Sequence, residues 1–424
     1  MQSMSRALPS YDQAASIVAS RSDRLRRSKP PSECVSLSSA AGRVLAQPLF
    51  ADRDQPPFAR STRDGFACRA AEASANTPLP LVGTTRAGQA PAGKLPKGAA
   101  WEIMTGAPIP AGANAVMMFE HVKVAGKKVR LIPPRTLKKG ENIVAQGAQA
   151  RRGDELLSAG TAIHAAQIAL AAACGHTSLE VFRRPRVAIL ATGDELVSVE
   201  SEPPPGQIRN SNAPMLAAMV AAAGGDPWVF PAVADTAEAL DAALAQAAEA
   251  GLLILSGGVS AGKFDLVEPA LARAGARFHF TGVRIQPGMP LVFGELPDRN
   301  ARTVKNENGT KCFGLPGNPV SSAVTFLLFA APLLAALAGS RESVPRFALA
   351  RLSKDTDKHS KPGLTRFLPA ACTFGAAGQL PEVALVHWQG SGDIAAMARS
   401  NCFVVIPEEA STLEAGAIVR ILLP

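Results

Sequence analysis

Val187-Ala188-Ile189-Leu190-Ala191, just after Arg186, is an apolar run of strand length that flows directly into Thr192-Gly193-Asp194-Glu195-Leu196. Downstream the pattern repeats. A helix is expected from about Asn212, with Pro214 in its first turn and Gly224-Gly225 at its end. Trp228 to Val233 reads as a second strand, Thr236 to Ala250 as an amphipathic helix, and Leu252 to Leu255 as a third strand. A helix over Asp265 to Ala274 and strands near Phe278 to Ile285 and Leu291 to Phe293 complete the segment. Strands alternating with helices give a doubly wound, mostly parallel sheet. Ligands of such sheets sit beyond the carboxyl ends of the strands, so the loops at those ends are where chemistry is sought.

Three such loops carry informative residues. Asp194 and Glu195, adjacent acids just after a buried strand, could hold Mg²⁺ or the amino groups of a substrate. They would equally suit the start of a helix, where acids are favoured. The third strand runs into Ser256-Gly257-Gly258-Val259-Ser260-Ala261-Gly262-Lys263-Phe264-Asp265. Its glycines let the backbone approach a ligand, and free N–H groups bind phosphate. The spacing nearly matches a P-loop, but Phe264 stands where that loop needs a metal-binding hydroxyl, so a P-loop NTPase is not expected and a different phosphate-cradling turn fits better. The third loop, Gly314-Leu315-Pro316-Gly317-Asn318-Pro319-Val320-Ser321-Ser322, feeds a helix. Its amides and serines could hold an oxyanion, or simply cap that helix.

Working outward, residues 5–50 and 148–182 read as helix-rich, and 51–147 as a small β domain inserted between them. The α/β segment spans 183–339. After Arg341 the pattern turns β-rich, and 343–424 reads as a small β-barrel-like domain. Ala323 to Gly339 is uncharged but short, contains Pro332 and lacks flanking Trp or Tyr. A buried helix is expected there, not a membrane span.

Composition narrows the function. The chain has 424 residues, 47% hydrophobic and 19% charged, enough for about three globular domains. Its net charge of +9 suits anionic small substrates, nucleic acid or membrane surfaces. The densest basic stretch, Arg21 to Lys29, has no interleaved aromatics and reads as a solvated helix face, so nucleic acid is not expected. The six cysteines are scattered, with no CxxC or Cys/His cluster, which argues against structural zinc and a disulfide framework and suits a reducing cytoplasm. The N-terminus shows no signal-peptide pattern. None of the six histidines lies in the loops above, and no Ser/His/Cys constellation marks a covalent nucleophile.

With two upstream loops, Pro57 to Ala67 and Ile103 to Pro108, these motifs form an ordered set. Together they resemble the molybdopterin molybdenumtransferase family, the MoeA proteins and the gephyrin E domain, over roughly residues 10–424. The resemblance implies a multidomain α/β fold. A molybdopterin-binding domain (183–339) stands beside a linker domain (5–50 with 148–182), an inserted β domain (51–147) and a C-terminal barrel-like domain (343–424). It implies a homodimer and Mg²⁺-dependent insertion of molybdate into adenylylated molybdopterin, with release of AMP. It also implies a partnership with the adenylyltransferase that supplies this substrate. By position, Asp64, Thr105, Glu195 and Asp265 correspond to catalytic-type residues, with Glu195 and Asp265 as metal ligands and Asp64 and Thr105 reaching the cleft of the partner subunit. Thr192, Gly193, Asp194, Ser256, Gly257, Gly258, Val259, Ser260, Pro290, Gly317, Asn318, Ser321 and Ser391 correspond to positions that bind molybdopterin or molybdate.

The chain also departs from that family. Gln286-Pro287-Gly288-Met289-Pro290 stands where KPGKP is usual, Leu364 stands where an arginine usually comes after the glycine, and Asn142 replaces a common acid. Molybdate is a dianion, and each charge-assisted contact to it is worth roughly 1.5–3 kcal/mol. Arg284, Arg366 and Lys263 are nearby cations that could replace the missing ones, or be ordinary surface residues. A non-catalytic scaffold, or a protein with altered oxyanion preference, are the alternatives these departures favour.

Overall fold

The computed structural model describes residues 7–90, 93–259, 266–297, 309–356, 363–375 and 378–424. Ser260, Lys263 and Asp265 lie outside the described residues.

The α/β unit is built on a six-stranded sheet. Its order is Asp226–Val229, Arg186–Ala191, Leu252–Ser256, Lys311–Leu315, Val292–Glu295, Arg277–Phe280. The first four strands are parallel, and Val292–Glu295 runs against both its neighbours. The chain leaves Arg186–Ala191 for one side and returns on the other at Leu252–Ser256. That reversal opens a crevice at the carboxyl ends. Both faces are covered, so the central strands are apolar without alternation. Val187 and Ile189 enter one core with Leu216, Val324 and Leu333, and Ala188 and Leu190 enter a second with Leu240 and Leu271.

Two expected strands are shorter than the sequence suggests. Trp228–Val233 holds its ladder only through Val229, because Pro231 has no N–H to give. Val233 still touches the sheet, donating to the Ala191 carbonyl. The run Phe278–Ile285 divides: Arg277–Phe280 stays in this sheet, and Ile285–Gln286 pairs with Thr365–Arg366 of the C-terminal domain.

The apolar stretch after Asn318 is one long helix, Pro319–Leu337, 78% buried. It has the hydropathy of a span, but it packs within the core. Its middle turn, Phe326–Ala330, is widened, with the Ala331 N–H reaching Phe326. Pro332 has no N–H for the normal bond at this point, which favours the wider turn.

The helix Tyr11–Arg27 starts at a reciprocal cap between Ser10 and Gln13. Its apolar stripe of Tyr11, Ala14, Val18 and Leu25 joins the core that holds Leu333 and Leu334. The sequence grouped this helix with the linker segments, yet its stripe finds its apolar partners on the α/β unit. Arg21 adds a polar tie, 3.9 Å from Glu295, a carboxylate that also faces His279 and Lys311. The His279 contact, with the charges of Lys311 and Arg21, holds the Glu295 carboxyl down to about 2. The linker itself is the antiparallel pair Ser32–Ser36 with Ser178–Phe182, the pair Leu49–Phe50 with Glu155–Leu157, and the helix Ala165–Ala173.

The inserted domain is a six-stranded sheet of residues between Gly65 and Leu131. Asn142, just beyond it, has φ 60°, donates to the Val116 carbonyl and accepts from the Thr62 N–H. Asparagine tolerates this left-handed backbone better than most residues, which accounts for its place after Gly140-Glu141. In the C-terminal domain the strands Thr365–Thr373, Glu382–Leu385, Phe347–Leu352, Ile418–Leu422 and Cys402–Ile406 close into a five-stranded barrel.

Tyr11 is the meeting point of these parts. Its ring lies 6.1 Å from Phe329 of the long helix and 5.6 and 6.5 Å from Phe367 and Phe347 of the barrel, all edge to face. Burial raises its hydroxyl to about 12. Tyr11→Ala should therefore cost about 3–5 kcal/mol of stability by denaturant unfolding, as large aromatic truncations do. Tyr11→Phe, which keeps the ring contacts, should cost less than about 1.5 kcal/mol.

Candidate active site

The register of the sheet aligns the loops. Ala191 pairs with Ser256, and Ser256 with Leu315, so Thr192, Gly257 and Pro316 all emerge at one level. A cleft of about 720 Å³ opens there. Of the residues singled out from sequence, Thr192, Gly193, Glu195, Ser256, Gly257, Gly258, Val259, Pro290, Gly317 and Asn318 line it.

The glycines are needed where they stand. Gly257 has φ 102°, and a Cβ there would come within 2.4 Å of the Thr192 carbonyl. A Cβ on Gly258 would press on the Thr192 hydroxyl at 3.1 Å. Gly193, at φ 152°, leaves room for the Glu195 carboxylate, 2.6 Å from where its Cβ would be. Loop and acid therefore form one closely fitted wall.

Asp194 does not line the cleft. Its Oδ1 accepts the Asp235 N–H at 3.0 Å and so fixes that residue. Asp235, which sequence reading missed, does line the cleft beside Glu195. Its carboxyl is raised above the ordinary range, first by burial and then by the negative charges of Asp194 and Glu195. The bridge between Thr192 and Val233 brings it there, a contact across the switch point that no local motif announces. Such crowding of carboxylates is the setting a divalent cation relieves. Among the described residues no three metal-ligating side chains converge. Two carboxylates plus substrate phosphate remain a suitable donor set for Mg²⁺.

Further residues complete the wall. Ile208 and Arg209 come from a two-residue strand paired with Leu196–Val197, and Arg209 is the sole basic side chain among the described lining residues. Gly392 and Ile394 come from the barrel. Ser391 beside them accepts from Asn318 Nδ2 at 2.9 Å, and its carbonyl accepts the Val320 N–H at 3.0 Å. The C-terminal domain thus docks on the start of the long helix. Ser321 is buried in that helix and its carbonyl accepts from Thr325; it does not line the cleft.

The network behind the wall is polar. Asn212 Nδ2 donates to Ser256 Oγ at 2.9 Å and to the Gly317 carbonyl at 2.6 Å. Ser322 donates to the Pro316 carbonyl at 2.6 Å and lies 3.3 Å from Ser256 Oγ. These bonds lash the second and third loops together.

Asp64 and Thr105 pair with each other on the inserted domain and do not line the cleft of their own chain. Asp64 Oδ1 accepts the Thr105 N–H at 2.6 Å and its hydroxyl at 2.8 Å, which lowers the Asp64 pKa.

Two of the three expected replacement cations have partners elsewhere, and the third, Lys263, lies outside the described residues. Arg284 faces Glu408 at 3.4 Å, and Arg366 is buried and donates to the Ala410 carbonyl at 2.7 Å. Arg366 shares a strand face with Leu368, Ala370 and Cys372, which line the barrel core. It therefore closes the end of the barrel. Gln286 and Met289 are exposed.

Comparison with known proteins agrees with this architecture. Residues 9–175 match the MoeA N-terminal region (domain I and II), 188–336 the probable molybdopterin binding domain, and 350–423 the MoeA C-terminal region (domain IV). A molybdopterin molybdenumtransferase of Nostoc sp. is 34% identical over 98% of this chain and 94% of its own. That of Bacillus subtilis is 34% identical over 92% and 89%. A crystal structure of the molybdopterin biosynthesis MoeA protein of Pyrococcus horikoshii superposes with a TM-score of 0.76 at 28% identity, covering 99% of this chain and 100% of that one. Fold and cleft thus define a multidomain α/β protein of molybdenum cofactor biosynthesis. The chain belongs to the molybdopterin molybdenumtransferase family.

Asp235 supplies a test of the electrostatics. A carboxyl whose folded pKa is raised binds its proton more tightly when folded. Its cost to stability is therefore absent at acid pH and grows as pH rises through the ordinary carboxylate value and then the raised one. In the ligand-free protein Asp235→Asn should raise the melting temperature at pH 7, and the gain should vanish at acid pH. A gain independent of pH would refute the crowding.

Proposed function

We propose that this protein inserts molybdate into adenylylated molybdopterin and releases AMP, in a cleft completed by a second copy of the chain. The observation that carries the reading is the convergence of the three loops with Glu195 and Asp235 at one end of the parallel sheet. Glu195, with Asp265, would hold Mg²⁺ against the nucleotide phosphates, where the ion would offset the charge of the leaving phosphate. Backbone N–H groups of the glycine loop beyond Gly257, whose own N–H is held by Leu315, would with Arg209 bind phosphate oxygens. The substrate would come from a molybdopterin adenylyltransferase.

Two measurements test the reading. AMP release from adenylylated molybdopterin should fall by about 100-fold or more in Glu195→Ala and in Asp265→Ala, a loss typical of removed electrostatic groups. Circular dichroism should show both variants folded, and full activity in both would refute the site.

Asp64 and Thr105 do not line their own cleft, and they fit the reading if they serve the partner's. Mixing inactive Asp64→Ala with inactive Glu195→Ala should then restore about a quarter of wild-type activity. Half the dimers would be mixed, and each would hold one intact site of two. No restoration after verified subunit exchange would place Asp64 in its own subunit's chemistry.

A second reading, altered oxyanion preference, is favoured by one specific observation. Neither Gln286 nor Met289 offers a cation, and Arg284 and Arg366 are held by the barrel. Competition between molybdate and tungstate in the same assay separates the two readings.

A further inference from the structure

The parallel sheet has a second end. Arg186, Leu252 and Lys311 begin its three central strands. Arg186, with Gly251 and Thr310 just before the other two, lines a cavity of about 920 Å³ there. The end of the helix Tyr11–Arg27 and the segment Arg183–Pro185 close it from the side. The length of the strands, about 17 Å for five residues, separates this cavity from the cleft at the carboxyl ends. The two ends carry opposite charge. Lys29, Arg183, Arg184 and Arg186 line the amino end, and Glu249 is the sole acid among its described lining residues. The cleft sets Glu195 and Asp235 against Arg209.

Three of these cations are accessible and unengaged. Arg186 is not, since its guanidinium stacks 3.8 Å from the centre of the Trp228 ring. Lys29, Arg183 and Arg184 are exposed, and none forms an ion pair with a described residue. Glu33, the acid whose charge Arg183 and Arg184 feel, is itself paired with Arg43. Arg183 gives its Nε–H to the Ser32 carbonyl at 3.2 Å, which leaves its terminal nitrogens open. The backbone that carries the arginines is fixed. The Arg183 N–H donates to the Pro31 carbonyl at 2.8 Å, and the Pro185 and Arg186 carbonyls accept from Asp226 and Gly251 at 2.9 Å each. Pro185 also keeps Arg184 extended. Charges from two distant segments are thus held at the wall of one cavity.

We infer that this cavity is a second ligand site, which takes a small organic phosphate. Its phosphoryl group would meet Arg183, Arg184 and Lys29, and its apolar body would lie against Leu25, Leu244 and Leu337. Guanidinium groups match phosphate oxygens in pairs. Cations rather than acids form the wall, so the anion binds without a metal ion. A concave site of this volume is the size of a small molecule. No aromatic residue is among the described lining residues, so the base stacking that holds a nucleic-acid strand has no platform here. The site is independent of the reading given for the cleft at the other end.

The test is calorimetric, on the full chain, with naphthyl phosphate as the probe and EDTA present, so that no divalent ion assists binding in the acidic cleft. Naphthyl phosphate should bind about 10-fold or more tightly than inorganic phosphate, which lacks the apolar body, and than naphthol, which lacks the charge. In the double variant Arg183→Gln, Arg184→Gln its affinity should fall about 10-fold or more, the size of lost charge-assisted hydrogen bonds. The double variant Arg24→Gln, Arg27→Gln removes the same charge from exposed residues outside the cavity, and its affinity should stay within about two-fold of wild type. All four side chains are exposed, and melting curves should show both variants folded. An equal loss in both variants would assign binding to the general positive field and overturn the site. Unchanged affinity in the first variant, or no binding of naphthyl phosphate, would overturn it likewise. Tighter binding of a polyglutamate peptide than of naphthyl phosphate would give the cavity to an acidic protein segment and overturn the choice of ligand.

Discussion

The register of three parallel strands is the constraint on which the site depends. Ala191, Ser256 and Leu315 lie side by side, so three loops far apart in sequence emerge together. Backbone hydrogen bonds fix this alignment, and they are independent of side-chain identity. A slip of one residue in any of these strands would exchange its buried faces and place its loop out of level with the others. The apolar residues on both faces make such slips costly. The same packing that stabilises the sheet thus brings Glu195, Gly257 and Gly317 to one cleft.

The second requirement is that the barrel stay in place against the sheet. Gly392 and Ile394 line the cleft only because the barrel docks beside the long helix, where Ser391 meets Asn318. Tyr11 holds this junction with its ring among Phe329, Phe347 and Phe367. Ile285–Gln286 adds a strand to the barrel edge. The segment Gln286–Pro290 is therefore anchored at both ends, one in the barrel sheet and one at the cleft wall. A site built across two units in this way gains precision from their rigid junction.

Much of this was legible in the sequence, for identifiable reasons. Val187–Ala191 and Leu252–Leu255 are continuous apolar runs ending in glycine loops, and local pattern suffices to read them. Asp235 and Asn212 were not legible as site residues. Asp235 comes after a strand interrupted by Pro231, and it reaches the cleft through a contact between Thr192 and Val233 that sequence does not encode locally. Asn212 looked like the start of a helix, which it is; its role comes from Ser256 and Gly317, distant in the chain. Arg284 and Arg366 show the opposite failure. Proximity in sequence placed them near the oxyanion segment, but strand parity turned Arg366 into the barrel, and Glu408 engages Arg284.

These placements set the charge balance of the site. The cleft wall carries Glu195 and Asp235, with Asp194 just behind, and Arg209 as its sole described basic residue. A polyanionic substrate would meet repulsion from these acids unless a cation came with it. The oxyanion end is arranged in the reverse way. Gln286 and Met289 bring no charge there, and the nearby polar groups of the described residues are neutral ones such as the Ser391 hydroxyl. Neutral donors can hold an anion when they are fixed in advance, because no reorganisation is needed on binding. The docking of Ser391 against Asn318 fixes one such hydroxyl at the domain junction.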